Sequence, residues 1–334
     1  MARRTNLGLF LVLLVVFTTG SLGLALGTSV SRVALVAHGV AAFSLFALVR
    51  RKVVVVRAGL RRHPIGRWPS LLFAALLVAS AGFGVLHTSG VLRQLGGYTT
   101  MAWHIALALA LVPLALWHVL ARRTRPRRTD LSRRSLLRSG IVVGTGALTY
   151  VAAEALVRVT SLPGAGRRFT GSYEMGSFRP AAMPVTQWLS DSVPTIDVDH
   201  YRLVVRSPSG VREWSYAELT RFSDRVRCTI DCTGGWYAEQ EWEGAWLHRI
   251  LTARGDAHSL QVRSVTGYSR RFSVDDGAAL LVALRVGGQP LDPGHGFPVR
   301  LVAPDRRGFW WVKWVASISA DHTPGWWQPP FPLQ

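Results

Sequence analysis

Cys228-Thr-Ile-Asp-Cys232-Thr-Gly-Gly-Trp236 holds both cysteines of a 334-residue chain. Two thiols in so long a sequence cannot make a multi-bridge disulfide scaffold. By composition alone each would be a small core residue. The surroundings argue for more: a thiolate is a soft ligand, and here it is followed by two glycines and a bulky indole. The run continues as Trp236-(x)5-Trp242-Glu-Gly244-(x)2-Leu247-(x)2-Ile250-Leu251. Downstream stands a second ordered run, Gly294-His-Gly-Phe-Pro298-Val-Arg300-Leu-Val-Ala-Pro304-(x)4-Phe309-(x)3-Lys313-Trp314.

Charge separates this region from the rest of the chain. The formal net charge is +20, yet residues 161–334 carry 19 basic against 17 acidic residues. Residues 1–160 carry 20 against 2, the acids being Asp130 and Glu154. Seventeen of those twenty cations lie at Arg3-Arg4, between Arg50 and Arg67, or between Arg122 and Arg138. They flank five apolar segments, about 7–27, 33–49, 71–88, 101–120 and 140–157. This is the positive-inside pattern of a multispanning membrane protein. It excludes a nucleic-acid patch, because the basic loops join segments that cannot stay in water. With Arg3-Arg4 in the cytoplasm the spans alternate, every basic cluster faces inward, and the C-terminal half emerges outside a bacterial plasma membrane. A cleaved signal peptide at the first segment lacks a small-x-small site.

Past the spans, residues 158–190 read as a linker. Alternation predicts strands at Tyr201–Arg206, Leu260–Val265 and Trp310–Ile318, and short helices at Ser215–Phe222 and Leu247–Thr252. The fold class is therefore an N-terminal all-α transmembrane helical bundle plus a C-terminal α+β domain. The divisions are a four-helix transmembrane domain at 1–125, a join with a fifth anchor at 126–160, and the soluble domain at 161–334.

The two ordered runs resemble the signatures of the sulfite oxidase family of molybdenum enzymes, over roughly residues 170–325. The resemblance implies a molybdenum–molybdopterin cofactor and places Cys232 as the metal ligand. Cys228 then reads as packing, since a disulfide would remove the ligand. Gly234 and Gly235 let the backbone approach the cofactor. Arg300 and Lys313 match basic positions that the family uses on the anionic pterin. His295 aligns where related reductases carry an amide. Gly267-Tyr268-Ser269-Arg270-Arg271 resembles the substrate-side loop, in which Tyr268, Arg270 and Arg271 face an oxyanion or an oxide oxygen. The Cys-x-Gly-Gly-Trp form, with no arginine directly after Cys232, looks nearer to the bacterial methionine sulfoxide reductase catalytic subunit than to the animal sulfite oxidases. Ser132-Arg133-Arg134-Ser135-Leu136-Leu137 resembles a twin-arginine export signal, which would carry a cofactor-loaded domain across the membrane folded.

Histidines inside spans are functional by default. His104 and His118 are fourteen residues apart, about 21 Å and close to four helical turns, so both lie on one helix face. That geometry offers one axial ligand to each of two stacked b haems and resembles di-haem membrane cytochromes. His38 pairs with His104 for the first haem; for the second, His63 would fold back toward His118. His87 either replaces His38 or lines an electron path.

The reading is a membrane-anchored molybdopterin oxidoreductase with a built-in b-type cytochrome of one or two haems. It exchanges electrons with quinone or another membrane redox partner and reduces S- or N-oxides such as sulfoxides. The alternatives are a sulfite dehydrogenase, or a haem membrane cytochrome whose outer module is inactive.

Overall fold

The computed structural model describes residues 2–62, 67–121, 132–188, 191–251, 255–329 and 331–332, together with 124, 127 and 130. The chain divides into two compact units, Met1–Gly171 and Ser172–Gln334.

The first unit is built from five long helices: α1 (Ala2–Ala25), α2 (Ser29–Arg62), α3 (Arg67–Ser89), α4 (Thr100–Ala121) and α5 (Arg133–Val159). A small hairpin of β1 (Gln94–Leu95) and β2 (Tyr98–Thr99) joins α3 to α4. Each helix contains a stretch of 20 to 27 residues long and apolar enough to cross a membrane. Their outward faces carry Leu14, Phe17, Leu72, Leu109, Leu116 and Leu148, all exposed. Apolar surface on that scale suits lipid, whereas Ser31, Ser44, Ser80 and Thr100 are buried between helices. α1 packs on α2, α3 on α4, and α5 on α2. The last contact needs Gly146: a Cβ there would stand 2.1 Å from Ser44 Oγ and 2.6 Å from the Val40 carbonyl. Arg3 and Arg4 both meet Asp130, at 2.7 and 3.4 Å, which brings the start of α1 beside the segment before α5. Ser132 caps α5, accepting from the Ser135 N–H, and Arg133 and Arg134 are exposed on its first turn.

The second unit is an α+β domain dominated by strands. In chain order these are β3 (Tyr173–Glu174), β4 (Arg202–Ser207), β5 (Gly210–Ser215), α6 (Tyr216–Leu219), β6 (Asp224–Cys232), β7 (Trp236–Trp246), α7 (Leu247–Ile250), β8 (Ser259–Ser264), β9 (Ser269–Ser273), β10 (Leu281–Val286), β11 (Gln289–Pro290), β12 (Arg300–Val302) and β13 (Val315–Asp321). One sheet is centred on β7, which pairs with β3, β6 and β10; β11 and β12 pair with β10. The other runs β5-β4-β13-β8-β9. Both sheets contribute to a single core that includes Leu203, Trp242, Leu260, Leu281, Val312 and Ile318, none more than 1% exposed. Each such aliphatic side chain contributes about 1.5–3 kcal/mol on leaving water.

Ser215 builds a capping box with Glu218, so the short helix expected there forms with its cap in place. The strand expected at Trp310–Ile318 begins only at Val315. Before it, Gly308–Trp310 is a 3₁₀ turn and Trp314 has φ +50. The chain curls there because Lys313 and Trp314 are held by the Gly294 and Pro293 carbonyls at 2.6 and 2.8 Å.

Candidate active site

β6 and β7 form an antiparallel pair from Asp224↔Gly244 to Cys232↔Trp236, closed by Thr233-Gly234-Gly235. Gly235 has φ +92, a conformation that favours glycine. The extended β6 sets Cys228 and Cys232 on one face, and both thiols are free. Burial pushes the Cys228 thiol up to about 12, which suits packing rather than ligation. The Cys232 sulfur ends its strand and receives two contacts, the Gly234 N–H at 3.3 Å and Thr186 Oγ1 at 3.3 Å.

A cationic wall stands near this thiol. Arg300, on β12, is 1% exposed and stacks over Trp242 at 4.9 Å and Trp311 at 5.5 Å. Its Nη1 donates to the His295 carbonyl at 3.1 Å, and its Nε is buried without a partner. Burial holds it at about 10, below the usual guanidinium range. Lys313 donates to the Thr186 and Gly294 carbonyls and to Gln187 Oε1, at 2.9, 2.6 and 3.1 Å. Burial and then repulsion from Arg300 lower it to about 7. His295 is buried and is lowered to about 4, first by burial and then by Arg300 and Lys313. The turn depends on Gly296, at φ +110, where a Cβ would lie 3.0 Å from Arg300 Cβ and 3.3 Å from Lys313 Cβ. Among the described residues no ion pair is formed by Arg300 or Lys313. Gln187 Nε2 is a further buried donor without a partner. Unfilled donors and uncompensated cations beside a soft thiol fit an anionic, acceptor-rich metal cofactor.

The substrate-side residues divide. Strand alternation on β9 sends Arg270 and Arg271 to opposite faces. Arg271 pairs with Asp321 at 2.5 Å and with Ser259 and Gln261. Arg270 is 2% exposed, stacks over Trp310 at 4.1 Å and Phe309 at 5.2 Å, and donates to the Pro329 carbonyl at 3.2 Å. Tyr268 is buried and donates its hydroxyl to the Phe309 carbonyl. Thr186, Gln187 and Arg307 escaped the sequence reading. The first two lie in a segment without periodicity, and Arg307 stands beside a second arginine in what reads as a polar loop.

In the helical unit, His38 and His104 come together, with ring centroids 6.0 Å apart and planes at 89°. His38 Nδ1 contacts the Val16 carbonyl at 2.8 Å, and His104 Nδ1 the Ser80 carbonyl at 2.7 Å. A carbonyl only accepts, so each Nδ1 carries the proton and each Nε2 keeps a lone pair, the state a metal ligand needs. Two such imidazoles side by side could hold a haem iron. Gly20 and Gly84 make room for the rings; a Cβ would stand 2.9 Å from His38 Cε1 and 3.2 Å from His104 Nδ1. His87 is a different case. Its two ring nitrogens meet Thr100 Oγ1 at 3.1 Å and the Gly171 carbonyl at 2.8 Å, so it is not available as an iron ligand. His118 stacks on Phe73 at 5.6 Å. His63 lies outside the described residues.

Residues 190–327 match the family described as oxidoreductase molybdopterin binding domain. Mitochondrial sulfite oxidase of Rattus norvegicus is 30% identical over 168 residues, covering 39% of this chain and 30% of that protein. The uncharacterized oxidoreductase YuiH of Bacillus subtilis is 30% identical over 107 residues, covering 30% of this chain and 54% of that protein. Among solved structures, the sulfane dehydrogenase SoxCD of Paracoccus pantotrophus is similar at a TM-score of 0.38 and 20% identity, covering 39% of this chain and 40% of that one. The chain thus spans 30% of the length of the sulfite oxidase it matches. Residues 190–327 thus match a molybdopterin-binding oxidoreductase domain and are similar to part of the sulfite oxidases.

Proposed function

We propose that the chain is a membrane-anchored molybdopterin oxidoreductase whose helical unit carries b haem, exchanges electrons with the quinone pool, and serves the reduction of S- or N-oxides such as sulfoxides. One observation carries the reading: the Cys232 thiol stands with two uncompensated cations, the buried Arg300 and the half-buried Lys313. Cys232 would ligate molybdenum. Arg300 and Lys313 would hold the pterin phosphate, with Gln187 as a further donor and His295 beside them. When bound, the cofactor supplies oxygen-atom exchange at the metal. The protein's part is to fix the thiolate, to balance the anion and to keep the site dry.

His38 and His104 would hold the haem, which supplies one-electron transfer when bound. One haem is favoured at His38 and His104, whose rings meet edge to face within the helical unit, and His118 would serve any second one. The basic ends of the helices would face the cytoplasm and the catalytic domain the outer side.

The position after Cys232 is threonine, not a cation. A site with less local positive charge prefers a neutral oxide, since an uncompensated buried anion is costly. Arg270 supports a second reading, sulfite oxidation, because it is a buried cation without a carboxylate partner among the described residues. Paired kinetics on detergent-purified protein tests both. Methionine sulfoxide reduction by a reduced dye is the expected activity. Efficient sulfite oxidation to an artificial acceptor, with no oxide reduction, would reverse the assignment. Molybdenum analysis and a haem spectrum on the same sample test the cofactors, and haem without molybdenum would leave only a cytochrome with an inactive module.

A further inference from the structure

Behind Cys232, away from its thiol, lies a buried ion pair that no sequence motif marks. The Arg307 side chain is 1% exposed and that of Asp231 8%. Arg307 Nη1 donates to Asp231 Oδ1 at 2.6 Å, and Nη2 to the Cys232 carbonyl at 3.3 Å. Ser172 Oγ donates to the same Asp231 oxygen at 2.6 Å and reaches the Cys232 carbonyl at 3.4 Å. Asp231 and Arg307 also form a parallel β-bridge. The next residue, Gly308, packs so closely that a Cβ would stand 3.0 Å from Cys232 Cα.

A buried ion pair is a weak device for stability, because desolvation offsets much of the attraction. This one is placed for something else. Side chains alternate along a strand, so Asp231 and Cys232 point to opposite faces of β6. The guanidinium therefore grips the residue before the thiol and the thiol residue's own carbonyl from one side, while the sulfur emerges on the other. Two prongs of one planar fork reach two acceptors, an arrangement that a lysine ammonium cannot copy. The backbone at the end of β6, and with it the direction of the Cα–Cβ bond, is set by this grip.

We propose that Arg307 is a positioning residue for the metal-ligating thiol, acting through the Asp231 carboxylate and the Cys232 carbonyl to fix where Sγ meets molybdenum. The proposal rests on the reading of Cys232 as the ligand. Groups that orient a ligand typically change metal affinity or activity by about 10–100-fold when removed.

The test uses the full-length holoprotein in detergent, with Arg307→Lys, Arg307→Met and the Asp231→Asn/Arg307→Met double variant. Molybdenum content, the Mo(V) electron paramagnetic resonance spectrum, kcat and KM are measured, with the haem spectrum as a control on the helical unit. Arg307→Met alone strands a buried carboxylate and should lower molybdenum content. The double variant removes both charges and should recover most of that content. It should still show a shifted or broadened Mo(V) spectrum and a kcat about tenfold down, with KM within about twofold. Arg307→Lys, which keeps the charge, should show the same spectral change in milder form. A parental Mo(V) spectrum and kcat in either the double or the lysine variant would overturn the proposal and make the pair a structural filler. The ligand reading fails separately: Cys232→Ser that keeps molybdenum and the parental spectrum would remove it whatever Arg307 does.

Discussion

Thr186 Oγ1 lies 3.3 Å from Cys232 Sγ, and the carbonyl of the same threonine accepts from Lys313 Nζ at 2.9 Å. One residue thus touches both the thiol and the cation wall. A hydroxyl that donates to a thiolate withdraws electron density from the metal it binds. Thr186→Val should lower kcat about tenfold and shift the Mo(VI)/Mo(V) potential, whereas Thr186→Ser should keep both near the parental values. Redox titration followed by the Mo(V) signal reads the difference; an unmoved potential in Thr186→Val would detach Thr186 from the metal.

The imidazole pair gives a prediction in visible light. His38→Ala and His104→Ala should each abolish the reduced b-type absorption, because each removes one of the two imidazoles proposed to hold the haem. His118→Ala should leave it intact, since its ring stacks on Phe73. Loss of half the haem in His118→Ala would restore a second haem.

Lys313 makes loading of the site depend on pH. Its folded value is about 7 against an ordinary 10.5. Without an anionic partner, the unfolded chain binds the proton more readily over that window, so the cofactor-free domain gains stability as pH rises from about 7 to 10.5. A bound anion reverses the lysine's preference, so loading takes up a proton and weakens as pH rises above about 7. Thermal melts of cofactor-free and loaded protein across this range should show stabilisation by the cofactor shrinking with rising pH. Lys313→Met should flatten both dependences.

Arg133 and Arg134 stand exposed at the start of α5, behind a serine cap. Changing both to lysine keeps the charge and the helix but removes the arginine pair that a twin-arginine signal requires. A C-terminal reporter should then stay in the cytoplasm while the first four spans insert normally. Unchanged export through the general secretion route would contradict the twin-arginine reading.

Much of this was legible in the chain. The cysteine run, the second ordered run, the five long apolar helices and the basic loops are local patterns. The His38–His104 pair was legible too, because depth within a span is nearly a sequence property. What escaped reading depends on contacts distant in sequence. Arg306 and Arg307 are indistinguishable as letters, yet Arg306 bonds Asp276 near the surface while Arg307 is buried against Asp231. Arg270 and Arg271 looked like a joint cation, and the period of a strand separates them. Thr186 sits where no repeat exists to register its direction. The aromatic run before Val315 mimicked a strand, although its backbone is bent to deliver Lys313.

The protons on His38 and His104 are given to carbonyls of Val16 on α1 and Ser80 on α3. Each ring is thereby fastened to the other helix of its own hairpin, α1 with α2 and α3 with α4. An iron taken between the rings would rivet one hairpin to the other. On the proposed reading, haem binding would then join two hairpins as well as carry electrons, and a chain without haem would lack that join.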